Sequence, residues 1–418
     1  MNIAVVGSGI SGLSAAWLLN SGHRVTLYEA AGYLGGHTNT VDVTLDGTTY
    51  PVDTGFLVHN DLTYPNLISL LETLGVETHA TEMTFSVCQP ERDMEWAGSS
   101  LATVFAQRRN LLRFHFWHML QQIISFNSKA LILLEWSEKQ RVTLGGLLDH
   151  HGYSKAFRQG YLLPMAAAIW SSSPSEILGF PAATFLRFCI NHRLLQIEGR
   201  PEWRSIVGGG RNYVKKMAES LDVRLNHPVD AVIRTDGAVK LTSRGETSSY
   251  DAVVLATHAP ETLQMIKDAD SLEHELLGSI RYQPNQAILH TDRRFLPKRE
   301  SLWSAWNYLS LGEEGSSVCV TYWLNRLQRL PFNTPLMVTL NPPQGMAPQG
   351  EIARFDYDHP IFDQAAIDAQ SRLPALQGRN RTWYCGAWCG YGFHEDGLRS
   401  ALRVIGDFGV EAPLPVVL

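Results

Sequence analysis

The alternation of apolar and polar segments at the start of the chain predicts a strand, a glycine-rich turn, a helix and a second strand. Residues 2–6 form an apolar run that indicates a buried strand, residues 13–19 are typical of a buried helix, and residues 24–28 predict the second strand. The turn between the first strand and the helix consists of Gly7, Ser8, Gly9, Ile10, Ser11 and Gly12. This order is the dinucleotide-binding fingerprint, in which phosphates lie at the amino end of the helix.

Each small residue of this motif has an expected role. Gly7 allows the tight turn, Gly9 lets the backbone approach a pyrophosphate, and Gly12 lets the helix pack close to the strand. Glu29 ends the second strand and follows Gly9 by 20 residues, the spacing at which a carboxylate accepts hydrogen bonds from an adenosine ribose. A purely structural glycine turn is the alternative, but strand, helix and acid together favour a dinucleotide site.

A second group of small residues follows the second strand. Glycine pairs let a backbone lie against a ligand without a side-chain clash, although an ordinary loop or turn is the alternative. Alternation around Asp46 and Gly47 predicts a hairpin over residues 41–50, and a further glycine comes after it. The residues expected at the ligand in this region are Ala30, Gly35, Gly36, His37, Thr38, Gly55 and Phe56.

The rest of the pattern predicts helices in the first half of the chain and mainly strands in the second. The predicted helices are residues 62–74, long helices within 100–150, and 180–192. The later predictions are a strand, glycine turn and helix over 203–214, a strand pair over 223–234, strands over 239–243, 251–260, 286–292, 302–308, 318–324 and 381–388, a loop over 334–348 and a helix over 390–402.

Residues 107–134 stand out because they are basic at one end and rich in aromatic side chains. One interpretation is a helical part of a substrate domain whose apolar face lies in the core, which base rates favour. The other is a basic amphipathic surface that docks on a membrane or admits a lipid. Peripheral membrane contact therefore stays open at this point.

Composition narrows the class of protein. The 418 residues are 44% hydrophobic and 18% charged, as in an enzyme with a large core. The net charge of −6 argues against nucleic acid as a partner. No apolar run approaches the roughly 18 residues of a membrane span, and the first strand starts beside Met1, so we expect no leader peptide. Five cysteines fit reduced thiols and a cytoplasmic location.

Together these motifs resemble the FAD-binding fold of the flavin amine oxidase superfamily, which includes protoporphyrinogen oxidases, carotenoid desaturases and related isomerases. In that superfamily a glycine-rich turn, an acid ending strand two and a Gly-Gly pair occur in this order. The resemblance implies an α/β fold in which a Rossmann-like FAD-binding domain is interleaved with an α+β substrate domain of mixed sheet plus helices. The implied FAD-binding domain is 1–60, 204–265 and 375–418, and the implied substrate domain is 61–203 and 266–374, with its helical part at about 100–200.

The resemblance also assigns FAD contacts to residues far along the chain. It implies that residues 35–38 run along the diphosphate and ribityl chain, with His37 where most members have Arg. Three later strand ends are implied to meet the cofactor through Val229 at the adenine, Ala256 and Thr257 near the phosphates, and Gly386 and Ala387 near the ribityl phosphate. The helix after the last strand then points its amino end at the flavin N1/C2 edge, where it stabilises the negative charge of reduced flavin.

The implied chemistry is hydride transfer from a substrate carbon to flavin. Phe393 falls where amine oxidases place a ring of their aromatic cage. His394 is a candidate acid or base because the ordinary pKa of histidine lies near neutrality, and the alternative is that only its backbone N–H acts. Many amine oxidases carry a lysine near flavin N5, and Gln286 occupies that position here with His290 nearby, which argues against amine oxidation.

Three functions stay open at the level of sequence. The similarity extends to the oxidase-like domain of plant cyclopropane fatty acid synthases, which favours oxidation, desaturation or isomerisation of an apolar, fatty-acyl or lipid substrate. The alternatives are an amine oxidase that releases peroxide and a non-catalytic flavin-binding partner of a lipid-modifying enzyme. Cys385 and Cys389 lack further ligands at metal-binding spacing, so we expect structural thiols and no metal. The oligomeric state is not determined by the sequence.

Overall fold

The computed structural model describes residues 1–196, 199–311 and 319–417. Short strands are distributed along nearly the whole chain. They are β1 (Asn2–Val6), β2 (Arg24–Tyr28), β3 (Thr40–Leu45), β4 (Thr48–Asp53), β5 (His59–Asn60), β6 (Thr78–Ala80), β7 (Phe85–Gln89), β8 (Met94–Ala97), β9 (Trp203–Ile206), β10 (Asp222–Arg224), β11 (Val229–Arg234), β12 (Val239–Ser243), β13 (Glu246–Tyr250), β14 (Ala252–Leu255), β15 (Tyr282–Gln283), β16 (Gln286–His290), β17 (Trp306–Leu309), β18 (Cys319–Trp323), β19 (Met337–Leu340), β20 (Glu351–Asp356), β21 (His359–Pro360) and β22 (Thr382–Tyr384).

Helices are most frequent between residues 101 and 191, and others occur before and after this stretch. They are α1 (Ile10–Leu19), α2 (Pro65–Thr73), α3 (Leu101–Val104), α4 (Phe114–Ser128), α5 (Ala130–Gln140), α6 (Leu144–His150), α7 (Lys155–Phe157), α8 (Leu163–Trp170), α9 (Pro174–Gly179), α10 (Ala182–Asn191), α11 (Arg211–Ala218), α12 (Ala259–Met265), α13 (Ser271–Gly278), α14 (Leu324–Leu327), α15 (Gln364–Arg372) and α16 (His394–Asp407). Within the described residues, no helix has both the length and the apolar character needed to cross a membrane.

A five-stranded parallel sheet gathers strands from distant parts of the chain. Its order is β10-β2-β1-β14-β22, and every neighbouring pair is parallel. A parallel sheet needs cover on its faces because its strands are apolar throughout, and here α1 packs against α16 over a core that includes Leu13, Val254 and Leu398. The predicted α/β class with a Rossmann-like sheet is therefore confirmed.

A second, seven-stranded mixed sheet has the order β20-β16-β19-β18-β17-β7-β8. The strands predicted over 286–292 and 318–324 are confirmed as β16 and β18, with residue 318 outside the described residues. The strand predicted over 302–308 begins only at Trp306, as β17, because a 3-10 turn occupies Glu300–Leu302. The loop predicted over 334–348 is wrong, because β19 lies inside it and is central in the sheet. The prolines flank the apolar run from Leu336 to Leu340 rather than interrupt it, so its backbone donors remain free to pair.

The strand pair predicted over 223–234 is also wrong, because its two strands belong to different sheets. β10 joins the edge of the parallel sheet beside β2, whereas β11 starts an antiparallel meander with β12 and β13. Asn226 at φ +56° and Pro228 separate them, and the His227 N–H donates to the Glu29 carbonyl. The connection therefore passes directly over the end of β2 instead of turning back as a hairpin.

The helices between residues 101 and 191 form a layer beside the mixed sheet. The helices predicted within 100–150 and over 180–192 are present as α3 to α6 and α10. α4 buries only Phe116, Met119 and Phe126 and exposes several large apolar side chains. The prediction that the apolar face lies in the core therefore holds for one face of α4. The other face of α4 is exposed to solvent.

Candidate active site

A single long cavity of about 2260 Å³ starts at the carboxyl ends of the parallel strands and extends to the mixed sheet and the helical layer. This is the edge at which open α/β sheets bind their ligands. Most of the predicted cofactor residues line it: Gly7, Gly9, Ile10, Ser11, Glu29, Ala30, Gly35, Gly36, His37, Gly55, Phe56, Val229, Ala256, Thr257, Gly386, Ala387, Phe393 and His394. The cavity exceeds the roughly 300–1,000 Å³ of an ordinary ligand pocket, so it has room for a cofactor and a substrate.

Gly12 and Thr38 belong to the predicted set but are not among the lining residues. A Cβ on Gly12 would lie 1.9 Å from the Gly7 carbonyl oxygen, so this glycine serves the packing of α1 against the turn. Thr38 is buried, and its hydroxyl lies 2.8 Å from Nε2 of His394 and 2.5 Å from the hydroxyl of Tyr213. Both residues therefore lie behind the residues that line the cavity and contact them.

The first turn forms a cradle that only glycines allow. Gly7 has φ +95°, and its N–H donates to the Tyr28 carbonyl over 2.8 Å. A Cβ on Gly9 would meet no atom within 4 Å, so this position faces open space in the cavity. A Cβ on Gly36 would lie 3.1 Å from Cα of Gly9, so the two glycines are close to each other. The turn and the Gly-Gly pair therefore lie against each other and leave free the space that a diphosphate requires.

Glu29 is held by the turn and still offers an acceptor to the cavity. Its Oε2 accepts hydrogen bonds from the N–H and hydroxyl of Ser8, and its Oε1 accepts one from the N–H of Ala31. An ionised carboxylate has about four acceptor sites, so three protein donors leave one for a ribose hydroxyl. The carboxylate thus both fixes the turn and fits the predicted contact.

Three histidines and a tyrosine form a group that sequence reasoning did not find as a unit. The ring of His37 lies 5.0 Å from the ring of Tyr357, 5.4 Å from that of His359 and 6.2 Å from that of His258. Burial, reinforced by His359, His258 and His394, lowers the pKa of His37 well below its usual value. His37 is therefore neutral, and its buried Nε2 has no hydrogen-bond partner among the described residues.

An unpartnered buried polar atom on a cavity wall is costly unless a ligand satisfies it, so His37 fits a neutral contact to the cofactor. No spacing rule could have found the group, because its members come from a loop, a helix start and β21, and His258 and His359 lie over 200 residues from His37.

His394 is a poor candidate for an acid or base. Its ring stacks on Phe56 at 3.6 Å, its Nε2 is engaged by Thr38, and burial together with the charge of His59 lowers its pKa to about 3. The imidazole is thus neutral across the ordinary pH range. The alternative from the sequence, in which its backbone acts, fits better, because His394 opens α16 and the first N–H groups of a helix have no partner within it.

Phe393 stands next to this helix start on the cavity wall. Its ring is nearly parallel to that of Phe188 at 5.1 Å, and the ring of His192 lies 6.0 Å away. These contacts fix the ring as an aromatic wall rather than leave it free to move.

The candidate His290 does not belong to the site. It lies on β16 inside the mixed sheet, is completely buried, and is absent from the cavity lining. Its Nε2 is 2.7 Å from the hydroxyl of Thr339, its Nδ1 accepts from the N–H of Asp292, and burial lowers its pKa to about 4. Gln286 also lies off the cavity and accepts a hydrogen bond from Arg354. Neither side chain therefore faces the cavity, and the lining gives no support to the predicted place of this strand beside flavin N5.

Cys385 and Cys389 are not poised for chemistry as thiolates. Burial raises the pKa of the Cys385 thiol well above its usual value and that of Cys389 to about 12. Both thiols stay protonated, as the structural interpretation predicts.

A Rossmann-like parallel sheet whose strand ends border a cavity with room for a cofactor and a substrate fits the FAD-binding fold that the sequence resembles. Comparison with known proteins gives the family: the sequence model of flavin containing amine oxidoreductases matches residues 10–327. This match covers about three quarters of the 418 residues. The chain therefore belongs to that family.

Individual relatives are distant. A carotenoid phi-ring synthase of Streptomyces griseus is 26% identical over 327 residues, which are 72% of this chain and 59% of the relative, so the chain spans less than two thirds of that protein. A CLA-producing fatty acid isomerase from P. acnes has a TM-score of 0.70 at 15% identity, covering 98% of both chains. Wild-type putrescine oxidase bound to putrescine has a TM-score of 0.68 at 17% identity, covering 98% of this chain and 99% of the other. These structural similarities show the fold alone.

Proposed function

We propose that this protein removes a hydride from a carbon of an apolar, fatty-acyl or lipid substrate, in an oxidation, desaturation or isomerisation. The observation that carries this proposal is the lining of the inner chamber of the cavity. We define its wall as the lining residues within 81–171 and 306–340, and none of those described is Asp, Glu, Lys, Arg or His. Large apolar and aromatic side chains dominate instead, including Phe85, Trp96, Met165, Ile169 and Trp306. The lining residues between 188 and 203, which include His192, Arg193, Arg200 and Glu202, adjoin this wall at Thr81, whose N–H donates to the Trp203 carbonyl.

An amine substrate fits this chamber less well. An ammonium group that enters an apolar chamber needs a carboxylate or a comparable partner, because burial of an unpaired charge is strongly unfavourable. The acidic lining residues are Glu29, Glu202, Asp230, Glu261 and Asp358. Glu202 adjoins the chamber wall through its neighbour Trp203, and its carboxylate is already paired with Arg204. Aromatic rings can attract a cation, and this remains the basis of the amine oxidase alternative.

FAD supplies the hydride acceptor when it is bound. The chain itself provides the bed, the orientation of the substrate and the exclusion of water. The amino end of α16 faces the cavity through Phe393 and His394 and favours negative charge that develops there. Phe56 and Phe393 are walls at the same end, and they leave water little polar surface to bind.

The names of the relatives agree with an apolar substrate. The sequence relative is named for carotenoid chemistry and one structural neighbour for fatty acid isomerisation. Another neighbour is named for putrescine oxidation. The fold is therefore compatible with both substrate classes, and the chemistry of the chamber wall favours the first.

A charge placed in the chamber tests the proposal. Ile169 lines the cavity, and we compare Ile169→Glu with the uncharged control Ile169→Gln by titrating the FAD-loaded proteins with oleate, methyl oleate, putrescine and cyclohexylamine. The readout is the shift of the visible flavin spectrum. We expect the flavin spectrum of the wild type to shift with methyl oleate and not with the amines. We expect Ile169→Glu to bind methyl oleate at least about tenfold more weakly than Ile169→Gln, because a carboxylate in the chamber opposes an apolar ligand.

A wild-type response to amines alone would favour the amine oxidase. Retained FAD without a response to any of the four compounds, together with a stable complex with a lipid-modifying enzyme, would favour the non-catalytic partner.

A further inference from the structure

Large apolar side chains are exposed in one short part of the chain. Among the described residues, Leu112 is 91% exposed, Phe114 84% and Leu101 79%, although side chains of this size are normally buried. We name the exposed group the entrance patch and define it as Leu101, Leu111, Leu112, Phe114, Trp117, Ile124, Leu131 and Ile132. A contiguous apolar surface of this kind marks an interaction site.

The entrance patch is continuous with the mouth of the cavity. Leu101, Trp117 and Ile124 belong to the patch and also line the cavity. Trp117 and Ile124 share one face of α4 with Phe114, since they follow it at helical spacing. The indole N–H of Trp117 donates to the Leu111 carbonyl over 2.9 Å, which joins the segment before α4 to this face. The patch therefore borders the chamber proposed for the substrate at these three exposed residues.

The charge around the entrance patch is mainly positive. No Asp or Glu occurs between Glu95 and Glu135, whereas this stretch holds Arg108, Arg109, Arg113 and Lys129. Asp93 pairs with Arg109 and Arg113 from outside the stretch, and Glu135 is exposed on α5 three residues after Ile132, so four positive charges face two negative charges. The whole chain has a net charge of −6, which makes this local excess of positive charge a distinct feature.

We propose that the entrance patch docks on an anionic lipid bilayer, with the mouth of the cavity against the membrane. Apolar side chains on a helix face flanked by arginine and lysine are the combination that inserts into the headgroup region and attracts anionic lipids. A second copy of the chain fits less well, because a two-fold interface would bring the same positive charges face to face. Docking does not depend on the substrate, so it stands or falls separately from the proposed reaction.

The test is flotation of the FAD-loaded protein with vesicles of phosphatidylcholine plus phosphatidylglycerol and with vesicles of phosphatidylcholine alone. The patch variant is Leu112→Ser with Phe114→Ser, and the charge variant is Arg108→Ser with Lys129→Ser. The control is Ile233→Ser with Ile352→Ser. These two isoleucines are apolar and exposed, at 43% and 41%, and they lie on β11 and β20, outside the entrance patch. All altered side chains are exposed, and unchanged thermal unfolding and FAD content show that each variant is folded.

We expect the wild type and the control to float with the anionic vesicles, more weakly at high salt. The patch variant should lose at least about tenfold in partitioning, since burial of even one such side chain supports a change of this size, and the charge variant should lose its preference for anionic vesicles. The proposal is overturned if the wild type does not float, if the patch and control variants behave alike, or if sedimentation equilibrium shows a dimer that the patch variant dissociates.

Discussion

At the scale of single residues, two glycines of one motif have different physical functions. Gly9 faces open space in the cavity, whereas Gly12 is in contact with the Gly7 carbonyl and with Ala256. A side chain at Gly9 would occupy space that the cofactor needs, and a side chain at Gly12 would push α1 away from β1. The same substitution at the two positions therefore separates cofactor binding from folding.

Gly9→Ala should fold with a loss of about 1 kcal/mol or less, since alanine is a poorer N-cap than glycine, and should retain little FAD after gel filtration. Gly12→Ala should lower the free energy of unfolding of the apoprotein by about 2–4 kcal/mol, because backbone atoms must shift to admit the methyl group. Thermal unfolding of the apoproteins and the flavin absorbance of purified protein measure the two effects. Equal FAD retention in wild type and Gly9→Ala would contradict the assignment of the cradle.

His394 gives a second prediction at this scale. An imidazole whose pKa is lowered to about 3 is a weak base near neutrality and carries no extra proton to donate. His394→Gln should therefore keep turnover within about tenfold of the wild type and leave the pH profile between pH 5 and 8 unchanged, whereas loss of a general acid or base costs about 10²–10⁴-fold. Steady-state rates over that pH range decide between the two roles.

At the scale of elements, α16 is fixed by more than its contact with α1. Glu395 in its first turn is buried, and its carboxylate accepts hydrogen bonds from the backbone N–H groups of Asn66 and Leu67. Those N–H groups lie at the start of α2, which would otherwise leave them without a partner. One carboxylate thus caps α2 and fixes the helix whose amino end faces the cavity.

Glu395→Gln should lower the free energy of unfolding by about 2–3 kcal/mol, because hydrogen bonds to a buried charged acceptor are lost. The control is Glu411→Gln, at an exposed position near the carboxyl end of the chain, where we expect a change within about 0.5 kcal/mol. Urea unfolding followed by circular dichroism compares the two. Equal stability of both variants would show that the cap contributes nothing.

Sequence alone predicts the elements whose pattern is local. The first turn, the 41–50 hairpin and the last helix are confirmed because each depends on neighbouring residues. β19 was hidden by flanking prolines, and the partners of β10 could not be predicted because strand pairing depends on distant residues. The same dependence on distant residues explains why the sequence places His290 in the site. It also explains why the sequence does not reveal that Glu395 caps the start of α2 at Asn66. The proposed domain division at residues 60, 203, 265 and 374 stays a prediction.

At the scale of the whole molecule, buried neutral histidines make stability depend on pH. Burial lowers the pKa of His59, His192, His290 and His359 to about 4 and that of His394 to about 3, and lowers that of His37 as well. An unfolded histidine has a pKa near 6.5, so below that pH the unfolded state binds more protons than the folded state. Stability is therefore retained above about pH 6.5 and falls as the pH falls toward 4.

The loss should be roughly 1 kcal/mol per histidine for each pH unit below 6.5. Asp53 and Asp396 offset part of it, because burial raises the pKa of each to about 6 and protonation then favours the folded state. The histidines outnumber these two carboxyls, so we expect the net free energy of unfolding to fall between pH 6.5 and 5. Urea unfolding at several pH values checks this, and a stability that is constant or rises toward pH 5 would refute it.

The central claim is that one cavity joins an FAD bed to an apolar substrate chamber, and anaerobic reduction of the bound flavin tests it most directly. The FAD-loaded protein is mixed without oxygen with fatty acids, fatty acyl esters and a carotenoid, and separately with putrescine and cyclohexylamine. The absorbance of oxidised flavin is followed, and the products are identified by mass spectrometry. The account predicts that at least one apolar compound bleaches the flavin and loses two hydrogens, or is converted to a double-bond isomer, while the amines do neither. Bleaching by an amine with release of ammonia or aldehyde, and no conversion of any apolar compound, would contradict it.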